Sequence, residues 1–393
     1  MKTYCKGVDI TDFDFVRKHV YNYLKGINGR PAKWRRSDYQ KFIADLCSRT
    51  RSKVKTSVIF KDYEELDYYV DTVTHEIIRQ IENDRLELRP IFYFNRQDPV
   101  NGKIRKICHE SPLQQVMDYV AVQALMPLFD AKINIYQCAS IPGRGQVYAK
   151  KKIERWVRRD KDSVYYEKID VIHCYESIKR EKVMSLLKRD IHKNPRLLRF
   201  VELLLKTYRN GALEIGTYIS AWLCNYVMSY AYRYANELCF YRRGKRIKSI
   251  KHMLVYMDDM LFIGSNKKEL KMAVNKVIAY LKATLDLMVH DGEVRKIRDN
   301  PIDMVGYVVA YKYTKIRKKI FLRARRHFIR ANNWLKRHTY LNLKRSFSVI
   351  SYYGHFKHSD SEMIRKKLGI DHIANMAKQT ISHYAKKGLV YGI

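Results

Sequence analysis

Two adjacent aspartates inside an apolar run constrain this chain more than any other feature. Asp258 and Asp259 lie between Leu254-Val255-Tyr256-Met257 and Met260-Leu261-Phe262-Ile263, so residues 252–264 read as two short strands around a tight turn. Neighbouring carboxylates repel, and taking them out of water is costly unless cations compensate. A divalent metal does so; Mg²⁺ is hard, prefers oxygen ligands and shares its shell with substrate phosphates. A plainer account is a pair of turn aspartates at a hairpin tip, since Asp favours turns. A plain tip, however, more often carries Gly or Asn.

The acidic pair stands out because the chain is so basic. Across 393 residues, 77 Lys and Arg face 40 Asp and Glu, a formal charge of +37. Such a chain repels itself unless a polyanion neutralises it, and nucleic acid is the usual polyanion. A ribosome-associated or membrane-surface protein is the competing class. No stretch is long and apolar enough to span a bilayer, and no signal peptide opens the sequence, so no membrane partner is expected. The seven cysteines form no C-x-x-C pair, which argues against structural zinc and fits a reducing cytoplasm. The 31 tyrosines among Lys and Arg suit stacking on bases as well as ordinary packing.

Along the chain, residues 1–88 read as basic helices and 89–107 as a hairpin with a Pro/Asn/Gly turn. Leu113, Val116, Met117, Val120 and Ala124 share one helical face. A Gly143-Arg144-Gly145 loop leads into a basic helix ending near Arg159, and Tyr165–Ile172 reads as a strand. Helices are expected near 180–190 and 195–208, and Gly216 precedes a long apolar helix. Leu270, Val274, Val277, Ile278, Leu281 and Leu285 make an amphipathic helix. Strands near 303–322 and a basic helical tail from Arg323 complete an α+β catalytic core with a helical clamp. No internal repeat or linker divides the chain.

A metal site needs a further carboxylate from another strand, and Asp170 in KIDVIHCYESI, at the end of a strand-like run, supplies one. With Asp170 upstream, Tyr256-Met257-Asp258-Asp259 resembles the palm hairpin of reverse transcriptases. That resemblance covers about residues 85–360 and implies a right-hand polymerase fold: fingers, a palm of antiparallel sheet plus helices, and a helical thumb. The implied divisions are a basic N-terminal extension and start of the fingers over 1–85, fingers over 86–165, palm over 166–312, and a basic thumb and tail over 313–393.

The resemblance also implies roles. Asp170, Asp258 and Asp259, with the Val171 backbone carbonyl, would hold two Mg²⁺ ions about 4 Å apart, with Mn²⁺ a substitute in vitro. Lys103 and Arg105 would grip the incoming triphosphate. Tyr175 falls at the steric-gate position that selects deoxynucleotides. Ile215 and Gly216, in LEIGTYISA, would support the nascent base pair, the glycine permitting close backbone approach. Lys296 is a candidate general acid for the pyrophosphate. Val305, Gly306 and Tyr307 resemble the primer grip. His173 and Cys174 depart from the hydrophobic and aromatic residues usual beside the gate.

Within the family, the aliphatic Ile215, the loop Ala139–Gln146 and the segment Ser351–Asp360 resemble the enzymes of diversity-generating retroelements. Ser220-Ala221 departs from their Ser-Gln ending. Membership implies error-prone cDNA synthesis on a dedicated structured RNA, with dNTPs as substrates, nascent cDNA as product and a small basic accessory protein as partner. It also implies the cytoplasm of a bacterial or phage-infected cell. A retron-like or phage-defence reverse transcriptase shares the same acids and differs in its RNA. A basic RNA-binding protein with a dead polymerase site is the alternative from another class, and the complete set of three aspartates argues against it. No sequence resembles an endonuclease, a maturase zinc module or an RNase H domain.

Overall fold

The computed structural model describes residues 2–25, 63–97 and 102–386. Helices α1 (Phe13–Lys25) and α2 (Tyr63–Glu82) open the described chain, followed by an antiparallel hairpin, β1 (Phe92–Gln97) and β2 (Ile104–His109). Helix α3 (Pro112–Lys132) begins at an N-cap where the Ser111 hydroxyl accepts from the Gln114 N–H, with Pro112 in the first turn where its missing N–H costs nothing. Helix α4 (Gln146–Arg159) leads to β3 (Tyr165–Val171), then α5 (Arg180–Ile191), α6 (Pro195–Lys206) and α7 (Tyr218–Glu237). A small hairpin, β4 (Cys239–Arg242) and β5 (Lys245–Lys248), precedes β6 (His252–Tyr256), β7 (Asp259–Gly264) and α8 (Lys267–Leu285).

The short strands β8 (Val289–His290) and β9 (Arg295–Lys296) both pair with β3, giving one antiparallel sheet of order β6-β7-β3-β8 with β9 beside β3. Strands β6 and β7 are buried on both faces, which is why they read as apolar runs rather than alternating patterns. Met253, Val255, Met260 and Phe262 face one way and pack in a core shared with α3, α7 and α8. Leu254, Leu261 and Ile263 face the other way, onto Ala149, Ile153, Trp156 and Val157 of α4. The same side carries a three-stranded sheet, β10 (Ile302–Met304), β11 (Tyr307–Val309) and β12 (Thr314–Ile316). Helices α9 (Lys318–Leu335), α10 (Leu343–Lys357) and α11 (Ile370–Lys386) form a separate core around Phe328, Phe356 and Ile373.

Most sequence expectations coincide with these elements, and three points differ or lie elsewhere. The strand expected to reach residue 322 ends at Ile316, and α9 begins at Lys318. Ile320, Phe321, Ala324, Phe328 and Ala331 recur at helical spacing and pack into the helical core, which overrides the β-branched and aromatic start of that segment. The described helices of the basic N-terminal stretch belong to the main core, through Val16, Val20, Val70 and Ile77. Most of the expected Pro/Asn/Gly turn, residues 98–101, lies outside the described residues. No described helix is long and apolar enough to cross a membrane.

Candidate active site

Antiparallel register brings the three aspartates together. Asp170 pairs directly with Asp259 across β3 and β7, so the two side chains leave the same face of the sheet. Asp258 sits in the two-residue turn between Tyr256 and Asp259, where Met257 takes a left-handed φ of 57°. That conformation costs a side-chain-bearing residue about 1 kcal/mol. The Val171 N–H donates to the Asp258 carbonyl at 3.0 Å and fixes the turn against the end of β3. On its other flank Asp170 pairs with His290 of β8.

Burial raises the Asp170 carboxyl above its ordinary range, and the charges of Asp258 and Asp259 push it further; His290 and Lys168 pull the other way. Asp258 is raised for the same two reasons, burial first and then Asp259, and is opposed by Arg105. Among the described residues no three His, Cys, Asp or Glu side chains are gathered tightly enough to hold an ion as they stand. The donor set still fits a hard divalent cation, being all carboxylate oxygen and mutually destabilised as anions.

Lys168, two residues before Asp170 and on the same face, was not foreseen. Its ammonium stands 3.5 Å from Asp259 Oδ1 and donates to the Asp303 carbonyl at 3.1 Å. It thereby ties the acidic hairpin to the β10–β11 hairpin. The alternation of a strand puts residues two apart on one face, so the KID spacing carried this signal. Beside it lies a cavity of about 320 Å³ lined by Lys168, Gly292, Arg295, Asp303 and Arg317.

The nucleotide-side residues divide into two groups. Arg105 lies on β2, and its charge favours ionisation of both Asp258 and Tyr175. The Tyr175 hydroxyl stands 3.6 Å from Met257 Sδ, directly beside the acidic turn. Lys103 lies exposed just before β2. Ile215 and Gly216 are held to the hairpin: the Cys108 N–H donates to the Ile215 carbonyl at 2.8 Å, and the Tyr93 hydroxyl donates to Glu214 at 3.2 Å. Gly216 has φ 113°, and a Cβ there would stand 2.4 Å from the Cys108 carbonyl oxygen. The close approach that requires glycine is therefore to β2.

Beneath this loop, burial raises the carboxyls of both Glu110 and Asp118. Asp118 accepts from the Ile219 N–H at 3.2 Å, and Glu110 accepts from the Tyr208 hydroxyl at 3.1 Å.

Other expected site residues lie apart. Lys296 pairs with Tyr165 at the opposite end of β3. Five residue steps along the strand separate that end from Asp170, about 17 Å, so the fold does not bring this lysine to the carboxylates. Val305 and Gly306, at φ 49° and 86°, form the turn between β10 and β11. Val305, Gly306 and Tyr307 are all buried, and the Tyr307 ring lies 5.4 Å from that of His355, so this turn is packed against the helical core.

An antiparallel sheet carrying paired aspartates at a hairpin turn, beneath a basic hairpin, is the arrangement of a template-directed polymerase. Residues 95–309, more than half of the chain, match the family of reverse transcriptases, described as RNA-dependent DNA polymerases. The chain belongs to this family of enzymes, and its fold is the α+β right-hand polymerase fold. Polymerases of the family generally use divalent metal ions. None of the curated proteins matches the chain. Among solved structures 320 chains match. One is the in situ structure of the BmCPV RNA-dependent RNA polymerase at its elongation state, with 11% identity and a TM-score of 0.40 over 81% of this chain. This chain spans about a third of that polymerase's length, the match covering 31% of it.

Proposed function

We propose that this chain extends a primer with dNTPs on an RNA template, using Asp170, Asp258 and Asp259 as the acidic centre. The observation that carries the reading is the register pairing of Asp170 with Asp259, with Asp258 at the adjoining turn. In this reading residues 86–165 act as fingers, 166–312 as palm and 313–393 as thumb. Two Mg²⁺ ions held by the three carboxylates and the Val171 carbonyl would supply charge stabilisation for the primer 3′-oxygen, the triphosphate and the departing pyrophosphate. Arg105, facing the acidic turn, and Lys103 orient the triphosphate by its oxygens. Tyr175 closes the space beside Met257 against a ribose 2′-hydroxyl. Lys168 keeps Asp259 in place from below.

The test is extension of a primed RNA template with dNTPs and Mg²⁺ by the protein and by its Asp258→Ala, Asp259→Ala double variant. Synthesis is expected from the former and lost in the latter; undiminished synthesis by the variant overturns the reading.

The finer reading is error-prone synthesis in a diversity-generating retroelement, on a dedicated RNA with a small basic accessory protein. It is supported by the aliphatic Ile215 and by the segments Ala139–Gln146 and Ser351–Asp360. Sequencing the product by template base tests it. Ile215→Gln is expected to reduce errors opposite adenines, and an unchanged error spectrum assigns the chain to another reverse transcriptase branch.

A further inference from the structure

The β4–β5 hairpin takes no part in the site above, yet it concentrates charge. Residues 239–248 contain Arg242, Arg243, Lys245, Arg246 and Lys248 and no acidic residue. Seven of these ten residues are exposed. Among the described residues, none of the five cations forms an ion pair, and Glu237 reaches Arg246 only through its charge; Arg246 donates to Cys239 Sγ at 3.0 Å and Lys248 to Asn236 Oδ1 at 3.0 Å. The ribbon is nevertheless ordered. Four residue pairs form its ladder, and Arg243 and Gly244, at φ 49° and 74°, close it with a tight turn. An isolated two-stranded hairpin is marginal in water, and five like charges on one weaken it further. A polyanion removes that penalty.

One face of the ribbon adds a second chemistry. Tyr241 is 72% exposed and pairs directly across the ladder with Arg246, so an aromatic ring and a guanidinium project side by side. Charge alone would serve an acidic protein equally well. An exposed ring beside an arginine suits an unpaired nucleobase flanked by phosphates.

The ribbon is rooted away from the carboxylates. Its base joins the C-terminal end of α7 to Ser249, whose carbonyl backs onto Gly264. Gly264 pairs with Tyr165, at the other end of the β3–β7 ladder from Asp170 and Asp259, about 17 Å away.

We propose that the β4–β5 ribbon is a second RNA-binding surface, outside the polymerase cleft, that grips phosphates through Arg242, Arg243 and Lys245 and stacks an unpaired base on Tyr241. It would hold a structured part of an RNA while another part is copied, and it rests on the polymerase reading only for that pairing of tasks.

The full-length protein is loaded with a chain-terminated primer–template and the matching dNTP, and a labelled RNA stem–loop with a uridine-rich loop is titrated in. The loaded protein is expected to bind the stem–loop. Arg242→Glu, Arg243→Glu and Lys245→Glu combined should weaken that binding about tenfold or more and flatten its salt dependence. Single-nucleotide extension should stay within about twofold, because the substituted side chains are exposed and remote. Ultraviolet crosslinking of the stem–loop should label the 239–248 peptide and be lost in Tyr241→Ala. Unchanged stem–loop affinity in the triple variant, the outcome for an acidic-protein site, overturns the proposal. So does displacement of the stem–loop by the primer–template. The crosslink requires no DNA synthesis, so a chain that fails to extend primers but labels Tyr241 refutes only the polymerase reading.

Discussion

Lys168 stands diagonally across the ladder from Asp259, its ammonium 3.5 Å from the carboxylate and its own backbone two residues from Asp170. The pair is about one-third exposed on each side, with relative exposures of 28% and 35%, so its contribution to folding is at most about 1 kcal/mol. On the proposed function its contribution to catalysis is geometric and larger. Lys168→Met is expected to lower kcat for single-nucleotide addition about tenfold, with a melting temperature shifted by only a few degrees. Lys168→Arg should recover most of the loss. Equal losses in both variants would mean that a cation at this point is not what matters.

Removing one of the mutually repelling carboxylates should stabilise the fold while abolishing synthesis. Burial and the neighbouring anions hold the Asp170 carboxyl above its ordinary value of 3.8. A raised group favours the folded state below its unfolded value and loses that contribution as pH rises through the folded value. At neutral pH the ionised Asp170 therefore costs stability. Asp170→Asn should melt higher than the parent near neutral pH, and the gap should close as pH falls below the ordinary value of 3.8. Mg²⁺ should raise the melting point of the parent protein and leave the variant's nearly unchanged. A variant that melts lower at neutral pH counts against the repulsion.

The Glu110–Asp118 pair makes a second, separate pH prediction. Burial pushes Glu110 up to about 7, and Asp118 beside it is raised well above its ordinary value. Asp118 Oδ1 is buried without a donor, which a proton shared with Glu110 supplies. The stability that Glu110 contributes is complete below the ordinary glutamate value of 4.5 and is lost as pH rises through about 7, where its buried carboxyl gives up its proton. Thermal melting of the protein should fall through that window. Glu110→Gln, which cannot ionise, should flatten the fall; an identical pH profile in the variant would place the titration elsewhere.

The acidic centre was legible in the sequence because its chemistry conflicts with its surroundings: Asp258 and Asp259 interrupt a run that is otherwise buried on both faces. Helices α3, α4, α7 and α8 were legible from apolar periodicity and from glycine and proline punctuation. What the sequence hid were relations between distant segments. The apposition of Asp170 with Asp259, the reach of Lys168, and the meeting of Glu110 with Asp118 beneath the 213–217 loop all depend on register and packing between elements. Lys296 shows the converse: it follows the acidic hairpin in sequence, yet strand β9 carries it to the far end of β3. The start of α9 was misplaced because Ile320 and Phe321 favour strands locally, and only the helical core they join decides otherwise.

On the proposed function, Gly216 links that packing to nucleotide handling. Any side chain there combines a left-handed backbone, φ 113°, with a contact of 2.4 Å against the Cys108 carbonyl oxygen. The neighbour is strand backbone, hydrogen-bonded through the same residue's N–H to the Ile215 carbonyl, and it cannot turn aside as a flexible side chain would. Gly216→Ala must therefore shift either the loop or the β1–β2 hairpin, at a cost of about 2–4 kcal/mol. Because β2 carries Arg105, whose charge reaches Asp258, the shift should also raise KM for dNTP about tenfold while primer–template affinity stays close to that of the parent. Chemical denaturation measures the first effect and steady-state extension the second. Lost stability with unchanged KM would mean that the loop yields and the hairpin stays, and the link from Gly216 through β2 to the incoming nucleotide would be wrong.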